Sequence, residues 1–159
     1  MVVVSEVSPD EWEILRDVRL AALRDAPSAF ASTYAREAAF ARQDWLRRIN
    51  SGSATFFAAL PDDPEPAGLG GVYVADGVAD VVSMWVRPSA RGRRVGEALI
   101  TAAAGWAKTR DHDALGLWVT ESNEPARRLY ERCGFALTGD RQPLPSDPAL
   151  TEIRMRLPL

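Results

Sequence analysis

Arg87, Arg91, Arg93 and Arg94 fall within eight consecutive residues, with Gly92 among them and Gly96 just beyond. The residues before them, 80–87, read as a strand stopped by Pro88. Those after them, 95–110, read as a helix, with Val95, Leu99, Ala102 and Trp106 at helical spacing. A helix that opens directly after a strand and a short loop leaves its first backbone N–H groups unpaired, and its dipole favours negative charge there. Glycines at that mouth let an anion approach the backbone, and arginines add charge around it. The chemistry is that of a phosphate or pyrophosphate cradle. The plainer alternative is a helix start carrying solvated arginines. A nucleoside-triphosphate loop needs G-x-x-x-x-G-K-[ST] and a dinucleotide fold needs G-x-G-x-x-G. Neither occurs, and Gly68-Leu69-Gly70-Gly71 does not supply the second. Coenzyme A, a pyrophosphate with one further phosphate, remains.

The elements that must position this mouth are legible on either side. Residues 2–7 predict an opening strand. Ser8, Pro9 and Glu11 then predict a helix start, with a capping serine, proline in the first turn and glutamate three residues after the cap. One helix is expected to follow, broken at residues 25–28, and a second over 34–49. Residues 54–60, 67–75 and 80–87 predict an antiparallel meander, the last two joined by Asp76-Gly77. After the helix at 95–110 come a strand over 115–120, a helix over 123–133 stopped by Gly134, and strands over 135–138 and 150–157 around a proline-rich loop, 142–148. This is an α+β order: a mixed, mostly antiparallel twisted sheet of about seven strands with about four helices on it.

Composition narrows the function classes. The 159 residues are 47% hydrophobic and 26% charged with a net charge of −3, which argues for one folded domain and against a dedicated nucleic-acid binder. One cysteine, Cys133, and one histidine, His112, exclude an intrachain disulfide and a four-ligand Cys/His zinc site, so no metal is expected. The first residues lack the charged start and apolar stretch of a secretion signal, and no apolar run is long enough to span a bilayer, so a cytoplasmic protein with no membrane partner is expected. Eighteen of the 19 basic residues are Arg, so arginine in place of lysine says little here, and only the clustering of arginines is informative.

Arg91-Gly92-Arg93-Arg94-Val95-Gly96 resembles the acyl-coenzyme A motif of the GNAT acetyltransferase superfamily, R/Q-x-x-G-x-G/A. It matches at the first and last positions and departs at the middle glycine, where Arg94 stands. Residues 123–135 resemble a second segment of that superfamily, N-x-x-A-x-x-L-Y-x-x-x-G-F, at every anchor: Asn123, Ala126, Leu129, Tyr130, Gly134 and Phe135. With the order of strands and helices, the resemblance spans nearly the whole chain and implies a single acyl-CoA N-acyltransferase domain over residues 1–159. It implies a bacterial-type enzyme with acetyl-CoA as cosubstrate, direct transfer to a primary amine in a ternary complex, and pairing as a homodimer in many members. The acceptor would be a small molecule, with a protein N-terminus or lysine as the alternative. A non-catalytic acyl-CoA-binding regulatory module is the reading from another class.

The resemblance also implies roles. The main chain of Met84, Trp85 and Val86 would pair with the pantetheine arm. Arg91, Gly92, Arg93, Arg94, Val95, Gly96 and Glu97 would form the phosphate cradle. Asn123 would bond the arm, although capping its helix is an equally physical use. Tyr130 would protonate the departing sulfur; its alternative is a core tyrosine beside Leu129 and Cys133. Asp80 is the expected general base, on the reasoning that residues 80, 82, 84 and 86 share one strand face. Glu121 or water is the second choice. Cys133 lacks a histidine partner and reads as a small buried residue. Phe30, Tyr34, Trp45 and Glu37 are offered as an acceptor pocket, with core packing as the alternative for the aromatics.

Overall fold

The computed structural model describes residues 1–159. The elements are β1 (Val3–Glu6), α1 (Trp12–Asp25), α2 (Tyr34–Ala38), α3 (Arg42–Asn50), β2 (Ala54–Ala59), β3 (Gly68–Ala75), β4 (Val78–Val86), α4 (Val95–Lys108), β5 (Ala114–Thr120), α5 (Glu124–Arg132), β6 (Ala136–Leu144) and β7 (Asp147–Pro158). The seven strands form one sheet in the order β1-β2-β3-β4-β5-β7-β6, antiparallel except for β4 beside β5. The expected sheet is thus present, with five helices rather than four. No helix is long and apolar enough to cross a membrane.

Alternation along the strands assigns the two faces. Phe56, Val72, Val81, Leu117 and Met155 join Val95, Leu99 and Ala103 of α4 in the larger core, which also takes in Tyr130 and Phe135. The opposite face carries α1 to α3: Leu15 and Trp45 pack on Phe57 and Leu69, and Leu23 and Phe30 pack near Trp85. On that side Glu37, fully buried, receives both Nε and one Nη of Arg19 at 3.0 Å, and an Nη of Arg48 at 2.9 Å.

Three features depart from the sequence reading. The helix expected over 34–49 is two helices, because the Asp44 carboxylate accepts the Ala41 backbone N–H at 2.9 Å and starts α3 afresh. The loop expected over 142–148 is mostly strand. β6 runs to Leu144 and β7 restarts at Asp147, with Pro143 tolerated because β6 is the edge of the sheet.

The third departure decides the site. Leu69 pairs with Trp85 and Gly71 with Val82, so Ser83 and Met84 together oppose Gly70. This is a β-bulge, and Ser83 takes the left-handed conformation it needs (φ 62°). The extra residue switches the alternation. Asp80 and Val82 point to the α1 side, whereas Met84 and Val86 pack with the α4 core. Residues 80 and 84 therefore lie on opposite faces, contrary to the unbroken period of two. Beyond the bulge β4 has no partner on its outer side, since it pairs with β5 only at Asp80–Gly116.

Candidate active site

The gap left where β4 and β5 part is a cavity of about 640 Å³. One wall is β4 (Met84, Trp85, Val86), one is the loop and first turn of α4, and one is α5. All the residues expected to hold the cosubstrate line it except Arg93. Gly92 sits in the left-handed region (φ 79°) with open space where a Cβ would stand, as a backbone cradle requires. Arg94 is also left-handed (φ 62°), at the helix N-cap. This accounts for the glycine of the superfamily pattern at that position: the backbone needs αL, and the arginine adopts it under strain. Gly96 serves packing, since a Cβ there would approach a Leu129 methyl carbon to 2.7 Å, so α4 and α5 touch at this point.

The arginines do not all surround the mouth. Arg87 is held by Asp63 and Glu65, and Arg93 reaches Asp62 at 3.3 Å, so both turn toward the acidic β2–β3 loop. Arg91 bonds Asp25 at 2.7 Å and the Val86 carbonyl at 3.1 Å. The same Asp25 oxygen accepts the Trp85 indole N–H at 3.0 Å; that bond, with Arg91 and against some desolvation, holds the carboxyl below its ordinary range. Arg94 has no carboxylate partner and faces the cavity. Asp25, at the end of α1, was not singled out in the sequence. The turn that follows it carries no signal of the strand 60 residues away.

Tyr130 is 7% exposed, packs edge-on against Phe135 and lines the cavity, so it belongs to the core and to the cavity wall at once. Burial, with a lesser contribution from Cys133, pushes its phenol well above the ordinary range and keeps it protonated. Asn123 caps α5 through its side chain, accepting from the Ala126 N–H at 3.4 Å, and also lines the cavity. Cys133 is half-buried, its thiol raised chiefly by desolvation.

A second cavity of about 760 Å³ lies on the α1 side of the same stretch of β4. Ser83 lines it while the next residue, Met84, lines the first, and Ala29 lines both. Asp80 is here, away from Tyr130, with both oxygens taken by the Arg154 guanidinium at 2.7 and 2.8 Å. Glu121 lines neither cavity. It is bonded to Arg141, which holds its carboxyl low. Phe30 lines the second cavity, but Trp45 is buried in the core and Tyr34 accepts from Arg24 at 2.6 Å. Glu37 faces the groove with its charge already consumed by two arginines.

The sequence reading missed Glu152, which lines this groove and is 6% exposed. Its Oε1 accepts from Gln142 Nε2 at 2.6 Å, and burial raises its carboxyl against that bond. One signal was available: Glu152, Arg154 and Arg156 alternate with Ile153, Met155 and Leu157, so one face of β7 is a polar row.

The α4 mouth thus opens on one cavity at the split of a mixed sheet, and a second groove lies across the same strand. The sequence matches the Acetyltransferase (GNAT) family over residues 16–135, and the chain belongs to that family. Among similar proteins, mycothiol acetyltransferase of Stackebrandtia nassauensis is 30% identical over 135 residues, 79% of this chain and 41% of that protein. Streptothricin acetyltransferase of Streptomyces lavendulae is 36% identical over 85 residues, 52% of this chain and 45% of the other. The chain thus spans less than half the length of these relatives. The structure of yncA from Salmonella typhimurium with its cofactor acetyl-CoA shares the fold, at TM-score 0.78 and 14% identity over 100% of this chain and 94% of that one.

Proposed function

We propose that the chain is an N-acetyltransferase that moves the acetyl group of acetyl-CoA to a primary amine by direct attack, both substrates being bound together. The carrying observation is the pair of cavities back to back across the β4 bulge, one fitted to a phosphate-bearing thioester and the other open to an acceptor. The residues present fit acetyl-CoA. The first-turn amides of α4 and the Arg94 side chain meet phosphate, and the unpaired edge of residues 84–86 runs beside an extended arm. Acetyl-CoA supplies the activated acyl group, and the protein orients it. Arg91 is fixed by Asp25 and Val86 at the rim, while Arg93 is paired with Asp62 of the β2–β3 loop. Tyr130, kept protonated by burial, donates its hydroxyl proton to the departing sulfur.

Ser146 donates to the Phe30 carbonyl and so ties the β6–β7 turn to the loop between α1 and α2, beside Phe30 and Pro145, which line the second groove. This supports a small-molecule acceptor over an extended peptide. The test is coenzyme A release from acetyl-CoA across a panel of alkylamines, arylalkylamines, polyamines and an alanyl peptide, with Tyr130→Phe alongside. Turnover of at least one amine is expected, with kcat lowered about 10²-fold in Tyr130→Phe and acetyl-CoA affinity unchanged. Tight acetyl-CoA binding with no turnover of any amine would make the chain a binding module instead.

A further inference from the structure

Four carboxylates line the second groove: Glu37, Asp44, Asp80 and Glu152. Three are neutralised by arginines from within the fold. Glu37 is held by Arg19 and Arg48, Asp44 by Arg47 and Asp80 by Arg154. Glu152 alone has no cation; its one polar partner is the neutral amide of Gln142, on Oε1, and Oε2 is left without a protein partner. A carboxylate 6% exposed carries a desolvation cost that this arginine-rich chain relieves at every other groove position.

No cation bonds it from within the protein: of the other arginines lining the groove, Arg36 bonds the Ser32 hydroxyl and Arg47 bonds Asp44. Across β5 its register partner is Thr120, whose hydroxyl donates to the Ser28 carbonyl at 2.6 Å. On β6 the partner is Gln142. The next inward residue on its own strand, Arg154, is committed to Asp80. From the helices opposite, Arg19 and Arg48 are both bonded to Glu37, and Arg19 also donates to Ser83.

We infer that Glu152 is the receiving carboxylate for the acceptor: it binds a primary alkylammonium and takes its proton before transfer. The inference rests on the acetyltransferase reading and assigns the base to β7 rather than to Asp80, whose two oxygens are occupied. An alkylammonium has a pKa of about 10, so at neutral pH it arrives protonated and cannot attack. One ammonium proton passes to Glu152. The freed nitrogen lone pair forms the C–N bond as the C–S bond breaks, and sulfur leaves with that pair and takes the Tyr130 proton. The surplus proton on the new amide nitrogen returns to the Tyr130 oxygen, and Glu152 releases its own to solvent. Atoms and charge balance to amide, coenzyme A thiol and one proton.

The test compares wild type and Glu152→Gln, using whichever amine of the panel the wild type turns over fastest. At neutral pH, kcat/KM for the amine should fall about 10²-fold or more in the variant. Acetyl-CoA affinity, measured by calorimetry, should be unchanged. The deficit should narrow as pH approaches about 10, where the amine is already neutral in solution. The variant should melt no lower than wild type, because it removes a buried charge. Unchanged kcat/KM, a deficit of equal size at every pH, or a parallel loss of acetyl-CoA binding would each overturn the assignment while leaving the enzyme reading intact. Absence of wild-type turnover on the whole panel would overturn both.

Discussion

At the scale of single residues, the protein separates arginines that guard the cavity from arginines that are already satisfied. Arg87 and Arg93 belong to the acidic loop and Arg91 to Asp25, and of the four only Arg94 lines the cavity without a carboxylate partner. Its backbone conformation makes a prediction. A non-glycine residue in the left-handed region costs about 1–2 kcal/mol, so Arg94→Gly should raise the unfolding free energy by about 1 kcal/mol in urea titrations. The same variant loses the guanidinium and should bind acetyl-CoA more weakly. A variant that is destabilised would show that the Arg94 side chain contributes more to the fold than the strain removes. At this scale the sequence was informative wherever a residue acts through its immediate neighbours. Gly92, Tyr130 and Asn123 sit where local spacing put them. Asp25 was not legible, and Glu152 only as part of the polar row on β7, because their partners Arg91 and Gln142 are brought to them by the sheet and by the end of α1, and no local pattern encodes those meetings.

At the scale of elements, the decisive feature is the bulge in β4. A reading with period two places Asp80 and Met84 on one face, and a single left-handed residue, Ser83, separates them. No residue type in Ser83-Met84-Trp85 announces a bulge, so the order of strands could be read from the sequence while the face of each side chain beyond Val82 could not. The start ahead of α1 was legible because its signal is chemical, the Glu11 carboxylate taking the Ser8 N–H at 3.0 Å, whereas the start of α3 at Asp44 was read as the middle of a longer helix. The seat of α4 on the sheet is equally specific. A Cβ at Gly68 would lie 2.8 Å from the Trp85 carbonyl oxygen and 3.0 Å from a Val95 methyl, so the helix mouth rests directly on β3. Gly68→Ala should therefore cost about 1–3 kcal/mol and loosen acetyl-CoA binding as α4 shifts. Gly105, exposed on the same helix with nothing within 4 Å of its would-be Cβ, supplies the control. There Gly105→Ala should add about 0.5–1 kcal/mol. Equal effects at the two positions, read from denaturation midpoints, would refute the idea that α4 is seated through Gly68.

At the scale of the molecule, three helices on one face must be held against a sheet whose middle is split, and the buried Arg19–Glu37–Arg48 set is what crosses the layers. Arg19 comes from α1, Glu37 from α2 and Arg48 from α3, while Arg19 also donates to Ser83 of the bulge at 3.2 Å and lies over the Phe30 ring. Desolvation pushes the Glu37 carboxyl up, but the bonds from Arg19, with help from Arg48 and Ser32, outweigh it and bring it from 4.5 to about 2. Its folded value lies below its unfolded one, so the stability it contributes is fully present above pH 4.5 and is lost as pH falls through that window toward about 2. Glu37→Gln leaves the buried Arg19 and the half-buried Arg48 without a counter-charge and should cost about 3–5 kcal/mol at neutral pH. The gap between wild type and variant should then close on acidification, because wild type loses through protonation what the variant lacks already. Urea unfolding at intervals across that window measures the gap directly. A difference that stays constant down to the lowest pH would mean that the ionised carboxylate is not what joins the helices to the bulge. Closure of the gap, with acetyl-CoA binding weakening in step, would mean that the helices beneath the second groove and the bulged stretch of β4 are held by one buried charge.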